Sequence, residues 1–536
     1  MTASEQSVPQ CRAARARKLE QLRAGAFDLV VIGGGINGAG IARDAAMRGL
    51  RVALVEKGDF ASGTSSKSSK LIHGGIRYLQ MGDLRLVRTA CRERDLLRRR
   101  LAPHLVQPLA FLFPVYGGDP VGLLALTAGM WLYDVLAVFR NIRRHRMLTR
   151  RRALAIEPNL RAEGLRGAAL YYDCFTDDAR LTLETVLAAE EEGAVVINYL
   201  EMQDFVKEGG RVIGAHLRDR LGGSELEVRA HRVVNATGPW ADRVRRLDDP
   251  AAKPCLRLTK GVHVVVARER VGNVQAVVLH SPRDQRVLFA IPWGAHSIIG
   301  TTDTDFAGEP DETAADETDV EYLLEAANWS FPAAKLSAAD VVSNYAGLRA
   351  LVASGTEEEE NPSALSREEE IFQSPSGLIT LAGGKLTTYR SVAAEIVQLV
   401  TKQLGAAPRS RLRSSATAVK PLPGGRAADP AGMARELASN DGYGLTPEQI
   451  SHLVARYGSR TPEIVRLLRD NSELRQMLVR GMPDIWAEAA FAVQNEMAVR
   501  PEDILFRRTH LALKEPLESS QVAGKIREKL NLADGD

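Results

Sequence analysis

The segment Phe27–Gly58, FDLVVIGGGINGAGIARDAAMRGLRVALVEKG, restricts the possible folds more than any other stretch of the chain. It opens with an apolar run, Leu29 to Ile32, of the kind required by a strand buried on both faces. Gly33, Gly35 and Gly38 follow in GxGxxG spacing, and a helical pattern then runs through Ile41, Ala42, Ala45 and Ala46 to a stop at Gly49. A second strand, Val52 to Val55, ends in Glu56. The whole is a βαβ unit with an acidic terminus. Its glycines admit a pyrophosphate close to the main chain, the helix start binds it, and Glu56 accepts from a ribose hydroxyl. The segment predicts a Rossmann-like α/β dinucleotide-binding domain.

Two further segments bear on which dinucleotide. RVVNATGPWADRV, residues 232–244, reads as a strand followed by a tight turn at Thr237-Gly238-Pro239. LITLAGGKLTTYRSVAAEIVQLV, residues 378–400, reads as a strand that runs through Gly383-Gly384-Lys385 into an amphipathic helix. The N–H groups of Leu386 and Thr387 would then open that helix, with its positive dipole end behind them. A reduced flavin carries negative charge near N1, which such a helix start suits. No second GxGxxG between strand and helix appears downstream, where a flavoenzyme fed by NADH usually carries two such units, and the two segments together with the fingerprint make FAD the better choice of dinucleotide.

At 536 residues the chain is too long for one core, which implies two or three domains. A net charge of +3 gives no electrostatic ground for nucleic-acid binding. Cys11, Cys91, Cys174 and Cys255 show no CxxC spacing and read as reduced thiols, not as a disulfide framework or a metal site. Residues 1–25 hold basic residues with no apolar stretch after them and read as a flexible basic leader, not a signal peptide.

Seven motifs in order resemble the FAD-dependent glycerol-3-phosphate dehydrogenase family, aerobic and quinone-linked. They are IGGGINGAGIARDAAMRG (32–49), SSKSSKLIHGGIRYL (65–79), VNATGPW (234–240), TKGVHVVV (259–266), IPWGAHSIIGTTDTDF (291–306), YAGLRAL (345–351) and GGKLTTYRSVA (383–393). DILFRRT (503–509) extends the likeness toward the C-terminus. The resemblance implies a discontinuous FAD domain over 26–95, 160–256 and 340–405, and an interleaved β-rich substrate domain over 96–159 and 257–339. It also implies an all-α C-terminal cap domain over 415–536. The residues agree in outline. HVVVARE and RVLFAIPW alternate like antiparallel strands, and after Lys420 two segments begin Thr-Pro-Glu, an N-cap followed by proline at the first helical position.

The resemblance further implies oxidation of sn-glycerol 3-phosphate to dihydroxyacetone phosphate, with hydride transfer from C2 to flavin N5. Such chemistry needs a base for the C2 hydroxyl and cations for the phosphate. By similarity the cations are Arg77, Arg349, Arg367 and Lys385, with His263 and His73 as base or hydroxyl orienter. Arg349 could instead stabilise the developing alkoxide, and a structural role for His263 stays open. The cofactor would be held by Gly33, Gly35, Gly38, Asn37 and Glu56, by Thr64, Ser65 and Ser66, and by Thr237, Gly238, Gly384, Lys385, Leu386 and Thr387. Ala350 stands where the family tends to place proline, which implies a looser loop around Arg349, and Arg367 sits between acidic runs.

The expected acceptor is a membrane quinone, reached by a cytoplasmic protein lying peripherally on the cytoplasmic membrane. Residues 121–139 are apolar apart from Asp134, short for a span, and fit either a buried helix or one lying in the interface. The arginines of 140–152 favour the interface. A homodimer is left open. Rival readings are a glycerol-3-phosphate oxidase using oxygen, an FAD-dependent amine or amino-acid oxidase of the same fold, and a non-enzymatic flavoprotein or lipid-binding scaffold.

Overall fold

The computed structural model describes residues 3–76, 83–138, 141–353, 369–405, 412–427, 429–439 and 441–532. The strand Ala26–Ile32 lies between Val52–Val55 and Glu225–Asn235, parallel to both. Val195–Ile197 and Ile379–Ala382 extend this parallel core on either side. The register sets Ile32 beside Val55 and Asn235, so the carboxyl ends of the strands are level. Leu29 and Val31 pack among the helices Ile36–Met47, Asp178–Glu191 and Tyr389–Gln403, whereas Val30 and Ile32 face a separate core on the other side. Burial on both faces is why the strand carries an unbroken apolar run.

The helix Ala3–Ala24 covers part of that second face, so residues 3–24 of the segment expected as a flexible leader are helical. Leu19 and Leu22 enter the core, and Arg15 reaches Asp219 at 2.6 Å and the Asn198 carbonyl at 2.8 Å. Basic residues in a leader carry no sequence mark of a buried partner; the two leucines, three apart, were the available sign.

A second, ten-stranded sheet is organised around Leu256–Ala267, flanked by His296–Gly300 and Val341–Val352. Gln107–Tyr116 pairs along Leu165–Phe175 at its other end. Thus 165–175 and 341–352, grouped by sequence with the dinucleotide-binding segments, pair within the second sheet, as does Leu71–Ile72. The chain crosses between sheets inside continuous apolar text, where composition marks no boundary.

After a turn at Pro423–Arg426 the chain forms the helices Pro447–Tyr457, Thr461–Asp470, Trp486–Asn495 and Pro516–Leu530, which enclose their own cores. Thr446 caps the first as expected, accepting from Gln449 N at 3.2 Å. Thr461 does not cap the second: it is the first helical residue, and its hydroxyl donates to the Gly458 carbonyl at 2.8 Å. Buried ion pairs join these helices to the body. Arg180 grips Glu496 at 2.5 and 3.0 Å and Asp59 meets Arg507 and Arg508, while Asp177 lies 2.9 Å from the ring of His510, whose pKa burial holds down. All four cysteines are free thiols.

Candidate active site

A cleft of about 390 Å³ opens at the carboxyl ends of the parallel strands. Its floor is main chain. Gly33 has φ +108°, and a Cβ on it would lie 2.6 Å from the Ala236 carbonyl oxygen. A Cβ on Gly38 would lie 1.9 Å from the Gly33 carbonyl oxygen, so turn and helix can approach this closely only without side chains. Gly35 precedes the helix Ile36–Met47 and caps it with no side chain; Ser65 Oγ accepts from Ile36 N at 2.9 Å instead. Glu56 accepts from Gly34 N at 2.7 Å and Gly58 N at 2.8 Å. Burial raises this carboxyl above the ordinary range, and the two amides oppose the shift.

The remaining cleft wall comes from distant segments. Thr237 Oγ1 donates to Asn235 Oδ1 at 2.7 Å, which fixes the turn before Gly238. Asn37 Nδ2 approaches the Gly383 carbonyl at 3.4 Å across the neighbouring Gly384. Thr64 Oγ1 donates to the Leu348 carbonyl at 2.7 Å. Ser66 sits in the 3-10 turn Thr64–Ser66, whose Thr64 and Ser65 line the cleft. One expectation needs correction. The helix after Gly384 starts at Tyr389, so Leu386 and Thr387 belong to a turn before it. Thr387 lines the adjoining cavity, its Oγ1 accepting from His73 N at 3.2 Å.

That cavity, about 280 Å³, shares Thr64, Ser68, Arg349, Lys385 and Leu386 with the cleft. Its shape follows from the pairing of Leu256–Ala267 with Val341–Val352. His263 faces Tyr345, Gly261 faces Gly347 and Thr259 faces Arg349 along one face of the ladder. The glycine rung makes the room: the Arg349 guanidinium lies within 2.8 Å of where a Gly261 Cβ would be, and Lys67 occupies the same space at Gly347. Arg349 is therefore held in a paired strand, and the looser loop implied by Ala350 is not found. Its Nη1 donates to the Thr302 carbonyl and Asp303 Oδ1, both at 3.1 Å, and Nη2 to Thr301 Oγ1 at 3.0 Å.

His263 stacks on Tyr345 with ring centroids 4.7 Å apart, and its Nε2 lies 2.8 Å from Ser69 Oγ. Burial, then the charges of Arg349 and Lys70, hold its pKa well below the ordinary histidine value. The ring is neutral at neutral pH. His73 and Lys385 stand on the same wall. Arg77 and Arg367 lie outside the described residues. Sequence reasoning missed two cations here. Arg286 enters from the start of the strand Val287–Trp293 and donates to the Asp303 carbonyl at 2.5 Å. Lys67 is held below the ordinary lysine value by burial and by Arg507. Lys67 lies inside the motif at 65–79, which was its available mark; Arg286 had none.

Comparison with known proteins agrees with this geometry. The model of the FAD dependent oxidoreductase family matches residues 28–390, and that of the C-terminal domain of alpha-glycerophosphate oxidase matches 415–531. An aerobic glycerol-3-phosphate dehydrogenase of Staphylococcus haemolyticus is 37% identical over 490 residues, 90% of this chain and 86% of the relative. Glycerol-3-phosphate dehydrogenase 2 of Mycobacterium tuberculosis is 40% identical over 521 residues, 96% of this chain and 86% of the relative. Among solved structures, the glycerol-3-phosphate dehydrogenase from Bacillus halodurans complexed with FAD superposes with a TM-score of 0.79 at 33% identity, covering 97% of this chain and 94% of that one. The glycine floor, where added side chains would collide with main chain, fits FAD as cofactor. The chain belongs to the FAD-dependent glycerol-3-phosphate dehydrogenase family.

Proposed function

We propose that the protein oxidises sn-glycerol 3-phosphate to dihydroxyacetone phosphate and delivers the electrons to a membrane quinone. The observation that carries this reading is the pairing of a neutral, buried His263 with Arg349 in a cavity that joins the cleft at Arg349 and Lys385. FAD, when bound, supplies the acceptor for the C2 hydride at N5. The glycine floor, Ser65, Glu56 and Thr237 would hold it.

The protein's own groups account for the rest. His263 takes the hydroxyl proton at Nε2, the nitrogen now facing Ser69, and only the neutral ring can do so. Arg349, fixed by three acceptors, keeps a positive charge where the alkoxide develops. Lys385 and Arg286, with Arg77 and Arg367 by family likeness, form the set for the dianionic phosphate, and His73 orients the substrate from the same wall.

A quinone in the bilayer is favoured over oxygen by the helix Leu123–Leu136. Leu126, Met130 and Tyr133 face inward, while Leu124 is 88% and Trp131 50% exposed. This apolar outer face suits a helix lying in the membrane interface. Among the described residues, no helix is long and apolar enough to cross a membrane.

Anaerobic spectroscopy tests the reading. Loss of the oxidised flavin band on adding sn-glycerol 3-phosphate, and its return with a soluble quinone, is the expected result. Recovery only with oxygen would assign an oxidase, and a flavin band indifferent to the substrate would remove the substrate assignment.

A further inference from the structure

His73, Gly75 and Ile76 line the substrate cavity, and the main chain between them rests on side chains that the reaction described above does not use. Gly75 has φ +75°, a left-handed conformation that glycine tolerates. Gly74 is pressed onto two helices, Leu84–Leu96 and Leu123–Leu136. A Cβ on it would lie 2.2 Å from the Tyr133 hydroxyl oxygen and 2.5 Å from Cys91 Sγ. The Gly74 N–H is shared between Tyr133 Oη and Asp173 Oδ1, each at 3.1 Å. Tyr133 donates to Asp173 Oδ1 at 2.8 Å. Arg94 Nη1 donates to the same carboxylate oxygen at 2.5 Å and to Tyr133 Oη at 3.1 Å. The other end of the guanidinium is held by Asn141 Oδ1 at 2.5 Å, and Asn141 by Asp134 at 2.6 Å. Arg94, Tyr133 and Asp173 are all buried, and they come from two helices and the strand Leu165–Phe175. On the other side of the turn, His73 N–H donates to Thr387 Oγ1.

We propose that Tyr133, Asp173 and Arg94 are positioning residues for the oxidation: they fix Gly74 in the cavity wall, and through it the placement of His73 on the substrate. This rests on the reaction proposed above and adds to it what holds one of its side chains. Asp173 is a carboxylate on the wall of a cavity that takes a dianion, an unfavourable place for a negative charge, and Arg94 cancels it there. Stability alone does not call for the arrangement, because apolar side chains filling the same space often stabilise a fold as well as a buried ion pair does. What a fully bonded buried network adds is a single position for the groups it holds. Here the group held is one peptide amide, next in the chain to His73.

Anaerobic stopped-flow reduction of the FAD-loaded full-length protein by sn-glycerol 3-phosphate tests this. Tyr133→Phe keeps the ring and the Arg94–Asp173 pair and removes one of the two acceptors of the Gly74 amide. Its limiting rate of flavin reduction should fall about 10-fold, short of the 10²-fold that a shift of about 1 Å costs, because Asp173 still accepts from that amide. Tyr116→Phe removes a buried tyrosine hydroxyl from the Arg161 carbonyl, outside the cavity wall, and should leave the rate unchanged. In a His73→Ala background, Tyr133→Phe should cost less than about twofold, since the side chain to be placed is gone. Thr387→Val frees the His73 amide without touching the buried group, and its cost should likewise vanish in that background. A wild-type rate in Tyr133→Phe would overturn the proposal while the proposed reaction stood. So would a full loss that persists in the His73→Ala background, because the hydroxyl would then act other than through His73. A wild-type flavin that the substrate does not reduce would overturn both.

Discussion

The cofactor cleft and the adjoining cavity meet at Arg349 and Lys385 yet are built in opposite ways. In the cleft floor main chain touches main chain, with Gly38 pressed on Gly33 and Gly33 on Ala236. The cavity is lined by side-chain ends delivered from separate strands, with two glycines facing each other so that Arg349 and Lys67 have room. Shape is fixed by backbone in the first and by charge in the second. A change in the cleft should therefore cost the cofactor, whereas a change in the cavity should cost turnover and spare the cofactor.

Gly38→Ala is the sharpest test of the cleft. A Cβ 1.9 Å from a carbonyl oxygen cannot be absorbed by a side-chain rotation, so the turn itself must move. The variant should be purified without flavin, read as loss of the yellow absorbance at unchanged protein yield. A fully flavinated variant would show that the floor is not held by this contact.

Arg349→Ala tests the cavity. The variant should keep its flavin spectrum and lose about 10³-fold in kcat/KM, the scale for removing a preorganised charge at a developing oxyanion. Since Arg349 is also close to the cleft, loss of flavin in this variant would break the proposed division of labour. His263→Asn should cost about 10²-fold in kcat/KM with flavin retained, the scale of a lost general base. A drop no larger than that of Ser69→Ala would reduce His263 to a positioning residue, since Ser69 contacts the same nitrogen.

The same contrast explains what could be read in advance. The cleft was legible because a βαβ unit writes its strand, glycines, helix and acid within one window. In the cavity, His263 and Arg349 were reached through family motifs, but no local pattern shows that their strands pair with two glycines between them. Arg286 reaches the cavity only because the strand Val287–Trp293 starts beside Asp303, whose carbonyl takes its guanidinium. The buried seam of Arg180 with Glu496 and Asp59 with Arg508 was invisible for the same reason: each is a single charge whose partner lies hundreds of residues away. The helix start before Tyr389 was misplaced because a glycine pair followed by Lys385 resembles a cap, and the turn that precedes the helix has no separate mark.

Acid should separate the two regions by sign, with the smallest effect of the four. His263 is held below the ordinary histidine value by burial, so as pH falls through about 6.5 the unfolded chain takes up a proton that the folded protein refuses. Its contribution to stability is therefore constant above that pH and declines below it, by about 1.4 kcal/mol per pH unit. Glu56 is displaced the other way: burial raises its carboxyl, so on acidification the folded protein binds that proton first and gains stability relative to the unfolded chain. Other histidines contribute as well, with His510 depressed and His452 raised, so the comparison is made within one background. Thermal unfolding at pH 7 and pH 5.5 should show a smaller acid-induced fall in Tm for His263→Asn than for the wild type. Glu56→Gln should show a fall at least as large as the wild type. Equal falls for wild type and His263→Asn would mean that His263 takes up its proton in the folded cavity near the ordinary histidine value, and the depression ascribed to burial would be refuted.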